Sequence, residues 1–258
     1  MLLKDDLERI AGLKRISLAN AEKDYLQDLI LFSVYSITGK ELIFKGGTCL
    51  YKVYKLDRFS EDLDFTLIKR LDIRKVSEKV VSDFELLGIK AKIKEMKKYK
   101  NGINVRFIIN GPLYKGSKET QSFIPLNISL KEKIVLEPIK ESIISIYREI
   151  PNFEIFVLHE KEILAEKIRA IFTREKARDI YDAWFLLKKR KNQLDLKLIN
   201  KKLSLYGIEF GLMEFIKRLD GMKGLWETDL KGLLTTSIKD FDIVKSEILS
   251  ELKNQKYL

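Results

Sequence analysis

The sequence predicts an α+β (α/β) fold, with a mixed sheet and flanking helices followed by a helical domain. Before about residue 155, short runs of β-branched residues alternate with segments that carry apolar residues at helical spacing. From Glu160 onward the apolar residues recur only at helical spacing, between scattered glycines. We therefore expect two domains, residues 1–155 and residues 156–258.

The individual elements follow from local patterns. Apolar residues between Leu18 and Phe32 recur at helical spacing and predict a helix over residues 18–38. Asn101-Gly102, between two strand-like runs, indicates a β-hairpin. The predicted strands are 41–45, 63–68, 89–97, 103–109, 122–130 and 153–158. The later predicted helices are 48–56, 72–87, 160–172, 176–190, 196–206, 209–219 and 240–252.

Composition excludes several classes of protein. The chain has 258 residues, of which 45% are hydrophobic, so it can form a packed core. It has no apolar run long enough to cross a bilayer, and its acidic N-terminus is not typical of a signal peptide. We expect a cytoplasmic protein without a membrane partner. Cys49 and His159 are the only residues of their kinds, which excludes an internal disulfide and a multi-cysteine zinc site. Cys49 is expected to be a small buried thiol.

The net charge is +11, from 49 Lys and Arg against 38 Asp and Glu. An excess of this size predicts a polyanionic partner, and nucleic acid is the natural candidate because Lys and Arg contact phosphates. Residues 92–100 and residues 188–191 are locally basic. Each run alone is more typical of a solubilising surface, but the excess over the whole chain favours at least one functional basic face.

The segment Lys45-Gly46-Gly47-Thr48 follows a predicted strand and is a candidate phosphate cradle. Glycines leave no side chain between the backbone and a ligand, and a helix that begins at Thr48 would direct N–H groups at an anion. An ordinary strand-to-helix turn is the alternative interpretation.

Asp62 and Asp64 form a candidate metal site. Residues 63–67 alternate apolar and polar side chains, as a half-buried strand does, and residues two apart on a strand share a face. The two carboxylates could therefore bind one Mg²⁺, with Mn²⁺ as the alternative ion. A solvated acidic turn is the competing interpretation.

Together these segments resemble the nucleotidyltransferase superfamily, and more narrowly the AbiEii/AbiGii-type nucleotidyltransferase toxins. The first motif is Lys45-Gly46-Gly47-Thr48 followed by Arg58-x-Ser60-x-Asp62-x-Asp64. The second is Ala165-Glu166-Lys167 followed by Arg178-Asp179-Ile180-Tyr181-Asp182. The resemblance spans roughly residues 25 to 190, most of the chain.

The resemblance implies a nucleotidyltransferase-like sheet and a helical domain that closes the active-site cleft. It implies transfer of a nucleotidyl group from a nucleoside triphosphate (NTP) to an acceptor, with tRNA, at its 3′ end, as the best candidate. It also implies a neutralising antitoxin protein. The implied metal ligands are Asp62 and Asp64. The implied nucleotide-binding residues are Lys45, Gly46, Gly47, Thr48, Arg58, Ser60 and Lys167. The implied catalytic residues are Asp62, Asp64, Lys167, Asp179 and Asp182.

The second motif also has a direct chemical interpretation. Lys167 could neutralise charge on the triphosphate, and Asp179 could orient Lys167 or Arg174 by ion pairing. Asp182 could do the same or help to activate the acceptor. A salt-bridged helix pair without catalytic function is the alternative.

One residue departs from the family pattern. The superfamily has a third acidic residue on a later strand, and the best match here is Asn127, which brings no charge and cannot act as a base. Two alternative functions stay open, and Asn127 favours the first. One is a catalytically degenerate module that binds nucleotide or RNA. The other is a small-molecule nucleotidyltransferase, against which the positive charge argues if the substrate is a cationic drug.

Overall fold

The computed structural model describes residues 2–254. Met1 and residues 255–258, which the predicted domains include, lie outside this range. The α-helices of the described range are α1 (Lys4–Lys14), α2 (Leu18–Tyr35), α3 (Gly46–Lys52), α4 (Ile73–Leu86), α5 (Glu160–Thr173), α6 (Ala177–Trp184), α7 (Leu196–Leu203), α8 (Leu212–Gly221), α9 (Trp226–Leu230) and α10 (Phe241–Asn254). The strands are β1 (Leu42–Lys45), β2 (Leu63–Leu67), β3 (Ala91–Tyr99), β4 (Gly102–Ile109), β5 (Ser122–Ser129), β6 (Ile139–Ile143) and β7 (Phe153–Val157).

The strands within residues 2–254 form one seven-stranded sheet in the order β3-β4-β5-β2-β1-β7-β6. The pairs β1–β7 and β2–β5 are parallel, and the other neighbours are antiparallel. The predicted mixed sheet is therefore confirmed. β2 lies between β1 and β5, so the side chains of these three strands can meet in the middle of the sheet.

Residue contacts divide the chain into two compact units. Unit 1 comprises Met1–Lys55, Phe59–Ile134 and Pro138–Val157, and it contains the whole sheet. Unit 2 comprises Leu56–Arg58, Val135–Glu137 and Leu158–Leu258. The helical unit thus takes two short segments from the part of the chain that precedes β7. Within residues 2–254, no helix has the length and apolar character that crossing a membrane requires.

Local sequence signals explain where the elements begin and end. The Ser17 side chain caps α2 by accepting a hydrogen bond from the Asn20 N–H group at 3.1 Å. Tyr99 pairs with Gly102 across the β3–β4 hairpin, so Lys100 and Asn101 form the loop. The hairpin that Asn101-Gly102 predicts is confirmed.

The main differences between the structure and the sequence prediction in unit 1 concern three elements; in addition, α2 ends three residues early and β3 is shifted by two residues. Helix α3 begins at Gly46 and ends at Lys52, earlier than the predicted range 48–56 at both ends. The chain cannot continue as a helix to residue 56, because Lys55 adopts a left-handed backbone conformation, with φ +63°. Helix α1 and strand β6 were not predicted, because α1 is rich in charged residues and β6 is a short edge strand that alternates weakly.

Helix α3 is anchored by a buried ionic cluster. The Lys52 ammonium lies 2.8 Å from an Asp24 carboxylate oxygen and 2.6 Å from an Asp28 carboxylate oxygen, both on α2. Lys14 of α1 also pairs with Asp24, and the Tyr147 hydroxyl donates to Asp24 at 2.6 Å. Burial opposes ionisation of Asp24, but Lys52 and Lys14 outweigh it and lower its pKa to about 2. The cluster fixes α3, and with it the Gly-Gly-Thr segment, relative to α2.

We predict that Lys52→Met lowers the free energy of unfolding by about 3 kcal/mol, because it leaves two buried carboxylates without their shared counterion. The matched control is Lys79→Met, which removes an i,i+4 pair with Asp83 on α4 and should cost less than about 1 kcal/mol. Urea unfolding at pH 7 measures both changes. Equal losses for the two variants would show that the cluster does not hold α3.

Candidate active site

Asp64 lies in the middle of the sheet, between a cation and an amide. In the strand register it pairs with Lys45 on β1 and with Asn127 on β5. The Asn127 amide nitrogen donates to an Asp64 carboxylate oxygen at 3.1 Å. Asn127 thus stands beside Asp64, where the sequence comparison expects a third carboxylate. The amide holds Asp64 by a hydrogen bond and adds no negative charge.

Gly46 allows α3 to begin directly against Asp64. Its φ is +76°, and a Cβ atom at residue 46 would lie 2.5 Å from the Asp64 Oδ2 atom and 3.0 Å from its Cβ atom. Any side chain here would displace the carboxylate and also strain the backbone. The first glycine of the motif is therefore required by a close approach to the candidate metal ligand.

The acidic loop, residues 60–62, is held by side chains from two helices. The Gln27 amide of α2 donates to the backbone carbonyls of Ser60 and Glu61 at 2.9 and 2.8 Å. The Thr48 hydroxyl of α3 donates to the Asp62 carbonyl. Three successive carbonyl groups are thus fixed from outside the loop, so the chain enters β2 with Asp62 in a defined position.

Lys45 is buried and pairs with Glu132, next to Asp64 in the strand register. In the part of the chain that the structure describes, no group of three or more Asp, Glu, His or Cys side chains could hold a metal ion. The two carboxylates that the motif predicts as metal ligands, Asp62 and Asp64, stay candidate donors. Oxygen donors of this kind fit Mg²⁺, which takes few protein ligands and completes its shell with water and substrate phosphates.

The second motif forms a buried charge cluster in unit 2. Arg58 binds Asp182 through two hydrogen bonds, Nε to Oδ1 and Nη2 to Oδ2, each 2.7 Å long. The Lys167 ammonium lies 2.9 Å from Asp179 and 2.7 Å from Asp182. Arg174 donates to both Asp179 oxygens, at 2.7 and 2.9 Å. The ion pairs of Asp179 and Asp182 with Lys167, and of Asp179 with Arg174, form as predicted.

Charge balance keeps this cluster ionised despite its burial. Burial opposes the charged form of Asp182, but Arg58 and Lys167 outweigh it and lower the pKa of that carboxyl. Burial likewise opposes the ionisation of Asp179, and Lys167 and Arg174 lower its pKa. Burial lowers the pKa of Lys167, but Asp179 and Asp182 raise it by more, so its pKa is raised overall. The cluster therefore carries fixed charges at neutral pH.

Cys49 on α3 is fully buried, and burial raises the pKa of its thiol well above the ordinary value. A thiol in this state is a packing group, as expected from the sequence.

A comparison with protein families places the chain. Residues 29–248 match the family described as "Nucleotidyl transferase AbiEii toxin, Type IV TA system". Because the match covers most of the chain, the protein belongs to this family of toxin nucleotidyltransferases. The resemblance drawn from the two motifs is confirmed. The family implies an NTP substrate and an antitoxin partner.

Solved structures share the fold. MenT4, a nucleotidyltransferase toxin from Mycobacterium tuberculosis, matches with a TM-score of 0.69 at 18% identity, over 100% of this chain and 91% of its own. JHP933 from Helicobacter pylori matches with a TM-score of 0.60 at 24% identity, over 94% of this chain and 97% of its own. None of the curated proteins compared with the chain matches it.

The structure divides the predicted site residues between the two units. Unit 1 holds Lys45, Gly46, Gly47, Thr48, Ser60, Asp62 and Asp64. Unit 2 holds Arg58, Lys167, Asp179 and Asp182. Sequence analysis missed Gln27, which holds the acidic loop, and did not pair Glu132 with Lys45. Both act through contacts between residues distant in sequence, which no short motif reveals.

We predict that Gly46→Ala impairs NTP binding at least tenfold, because a methyl group at residue 46 would displace the Asp64 carboxylate. Gly88→Ala is the matched control. Gly88 also has a positive φ, +72°, but a Cβ atom there would meet nothing within 4 Å. Both variants place alanine at a similar positive φ, and calorimetric titration measures the NTP affinity of each. Equal affinity in the two variants would contradict the role assigned to Gly46.

We predict that Asp182→Asn lowers the free energy of unfolding by about 3 kcal/mol at pH 7, because buried Arg58 and Lys167 lose a counterion. The folded-state pKa values of Asp179 and Asp182 are lowered, so their stabilisation is present above the unfolded pKa of about 3.9 and is lost as the pH falls below it. Wild type should therefore lose more stability than Asp182→Asn between pH 5 and pH 3. Parallel urea curves at the two pH values test this, and equal acid losses would contradict it.

Proposed function

We propose that the protein transfers a nucleotidyl group from an NTP to the 3′ end of an RNA, with tRNA as the leading candidate, and that the reaction depends on Mg²⁺. One observation carries this proposal: Asp64 is held beside Asn127 and against Gly46, at the start of a strand whose preceding loop is fixed by Gln27 and Thr48. A carboxylate fixed in this way, next to a helix that begins with glycine, fits a site for a metal–triphosphate complex.

The carboxylates of Asp62 and Asp64 would hold Mg²⁺, or Mn²⁺ in its place. When bound, the ion supplies neutralisation of the triphosphate charge and orients the phosphate oxygens. The Gly46-Gly47 backbone leaves room for the phosphates. Thr48 acts by holding the Asp62 carbonyl. Ser60 keeps the nucleotide-binding role that the family resemblance implies. Arg58 and Lys167 are buried in ion pairs with Asp182 and Asp179, so they could contact the nucleotide only by exchanging those partners.

In the proposed reaction the RNA 3′-hydroxyl oxygen forms a bond to the α-phosphorus of the NTP. The bond from that phosphorus to the oxygen bridging to the β-phosphate breaks, and pyrophosphate leaves. The hydroxyl proton passes to a carboxylate of the Asp pair or to water, because Asn127 is not a base. The protein contributes positioning and electrostatic stabilisation and provides no nucleophile of its own.

The net charge of +11 supports a polyanionic acceptor and argues against a cationic small-molecule acceptor. NTPs and tRNA are found in the cytoplasm, so we propose that the protein acts there. A toxin that modifies tRNA 3′ ends would block translation, which accounts for the antitoxin that the family implies.

We predict that Asp64→Asn and Asp62→Asn each lower transfer of radiolabelled nucleotide to total tRNA at least roughly a hundredfold, because the metal loses a charged ligand. Asp83→Asn, at a half-buried residue of α4 that pairs with Lys79, is the control and should keep wild-type activity. Circular dichroism verifies that the variants are folded. Activity within twofold of wild type in both site variants would exclude the metal assignment.

Asn127 supports a second candidate function, a module that binds nucleotide or RNA without turnover. An amide that donates to Asp64 occupies the place of the third acid, so the cation would have only two carboxylates. The same radiolabelling assay decides between the two functions, because a degenerate module would bind NTP and leave every acceptor unlabelled.

We predict that Asn127→Asp tightens Mg²⁺-dependent NTP binding about tenfold, because it adds a third charge beside Asp64. Without metal, two adjacent carboxylates would repel, so the variant should unfold more easily in EDTA than in Mg²⁺. Mg²⁺ titrations of NTP binding and thermal unfolding with and without metal measure both effects. Identical metal dependence in the two proteins would show that residue 127 does not face the cation.

A further inference from the structure

The sheet has an open face at β5, β4 and β3, on the side that carries Asp64. Along β5 the side chains alternate, with Ile124, Leu126 and Ile128 buried, whereas Phe123 is 44% exposed. Asn127, between two of these buried residues, points to the same side as Phe123. At β5 the sheet therefore presents one face to a core and leaves the other accessible.

The strand register connects this face to Asp64. Asp64 pairs with Asn127, Asn127 with Asn104 on β4, and Asn104 with Lys97 on β3. Directly opposite residues share a face, so these side chains form one polar row across four strands. Three strand spacings of roughly 4.8 Å make the row about 15 Å long. It runs from the candidate metal ligand to the edge of the sheet.

Cations and aromatic rings flank this row. Arg106 lies on the same face one row away, and its side chain is 60% exposed. The Lys94 ammonium lies 4.9 Å from the centre of the Phe123 ring, which brings a second cation over the face. Tyr99, at the end of β3, is 53% exposed. We call the surface formed by Lys97, Asn104, Arg106, Phe123 and Asn127 the open sheet face.

The chemistry of the open sheet face fits single-stranded nucleic acid. Exposed rings stack on bases of any sequence, cations contact the phosphates, and amides form hydrogen bonds with base edges or ribose hydroxyls. Glu95 lies opposite Arg106 in the strand register, 4.0 Å from its Nε atom, and also pairs with Lys97. Such exposed pairs are weak enough for a phosphate to compete for both cations. β3 is an edge strand whose exposed lysines disfavour the addition of a partner strand.

We propose that the open sheet face binds the unpaired 3′ end of the acceptor RNA and leads its terminal hydroxyl to Asp64. This inference rests on the proposed function and specifies the acceptor as single-stranded at its reacting end. Phe123 is a base-stacking residue, and Arg106 is a phosphate-binding residue. The row of Asn127 and Asn104 is the floor along which the last nucleotides lie.

The binding test uses a 5′-fluorescein-labelled single-stranded RNA dodecamer with a free 3′-hydroxyl. Fluorescence anisotropy is measured over a series of salt concentrations without NTP. Phe123→Ala should weaken binding at least fivefold, through loss of a stacking partner. Arg106→Gln should reduce the slope of log K against log salt by about 0.7, the value expected for one phosphate contact on a single strand.

The controls are Leu86→Ala, which truncates a residue 82% exposed on α4, and Lys197→Gln, which removes an exposed charge on α7. Both should bind the dodecamer as wild type does. Thermal unfolding verifies that all four variants are folded. Equal affinity and equal salt slope in the face variants and the controls would overturn the inference.

The transfer assay separates this inference from the proposed function. Phe123→Ala and Arg106→Gln should raise KM for the RNA while KM for NTP stays within twofold. Asp64→Asn should abolish transfer and retain binding of the dodecamer. If wild type transfers nucleotide but the face variants keep the wild-type KM for RNA, the inference fails and the function stands. If wild type binds the dodecamer through this face and transfers nothing, the function fails.

One further outcome would also overturn the inference. If the face variants escape neutralisation by the antitoxin protein while their KM for RNA is unchanged, the open sheet face is a protein interface.

Discussion

The absence of a side chain at residue 46 is the constraint on which the candidate site depends. Because Gly46 is bare and adopts a positive φ, α3 can begin against the Asp64 carboxylate at the end of β1. That start places Thr48 where its hydroxyl reaches the Asp62 carbonyl. The glycine motif and the aspartate motif are therefore in direct contact, and a side chain at residue 46 would displace the Asp64 carboxylate.

Buried charge is the second recurring theme, and each instance pairs residues distant in sequence. Lys52 joins α3 to α2, Lys45 joins β1 to Glu132, and Arg58 joins the segment 56–58 to α6. Lys202 of α7 contacts Glu162 and Glu166 of α5, at 2.6 and 3.0 Å. Such pairs add little net stability compared with apolar contacts, but removing one partner is costly. They therefore favour one arrangement of the elements over its alternatives.

Much of this arrangement could be predicted from sequence. The central strands, helices α2 and α4 and the β3–β4 hairpin follow from apolar periodicity and turn residues, because those signals are local. The family resemblance places Asn127 on a later strand facing the Asp pair, and the register pairs it with Asp64. The Gln27 contacts with Ser60 and Glu61 span more than thirty residues, and helix periodicity places Gln27 among core positions without naming its partner. Short, polar elements such as α1 and β6 lack the periodicity on which prediction relies.

Arg58 is synthesised long before most of the helical unit to which it belongs. Arg58 precedes its counterion Asp182 by 124 residues. At translation rates of about 5–20 residues per second, roughly 6 to 25 seconds separate the synthesis of Arg58 from that of Asp182. All seven strands are synthesised before Asp182, so the sheet can form while Arg58 still lacks its counterion. The helical unit, which needs the Arg58–Asp182 pair, is therefore completed after the sheet.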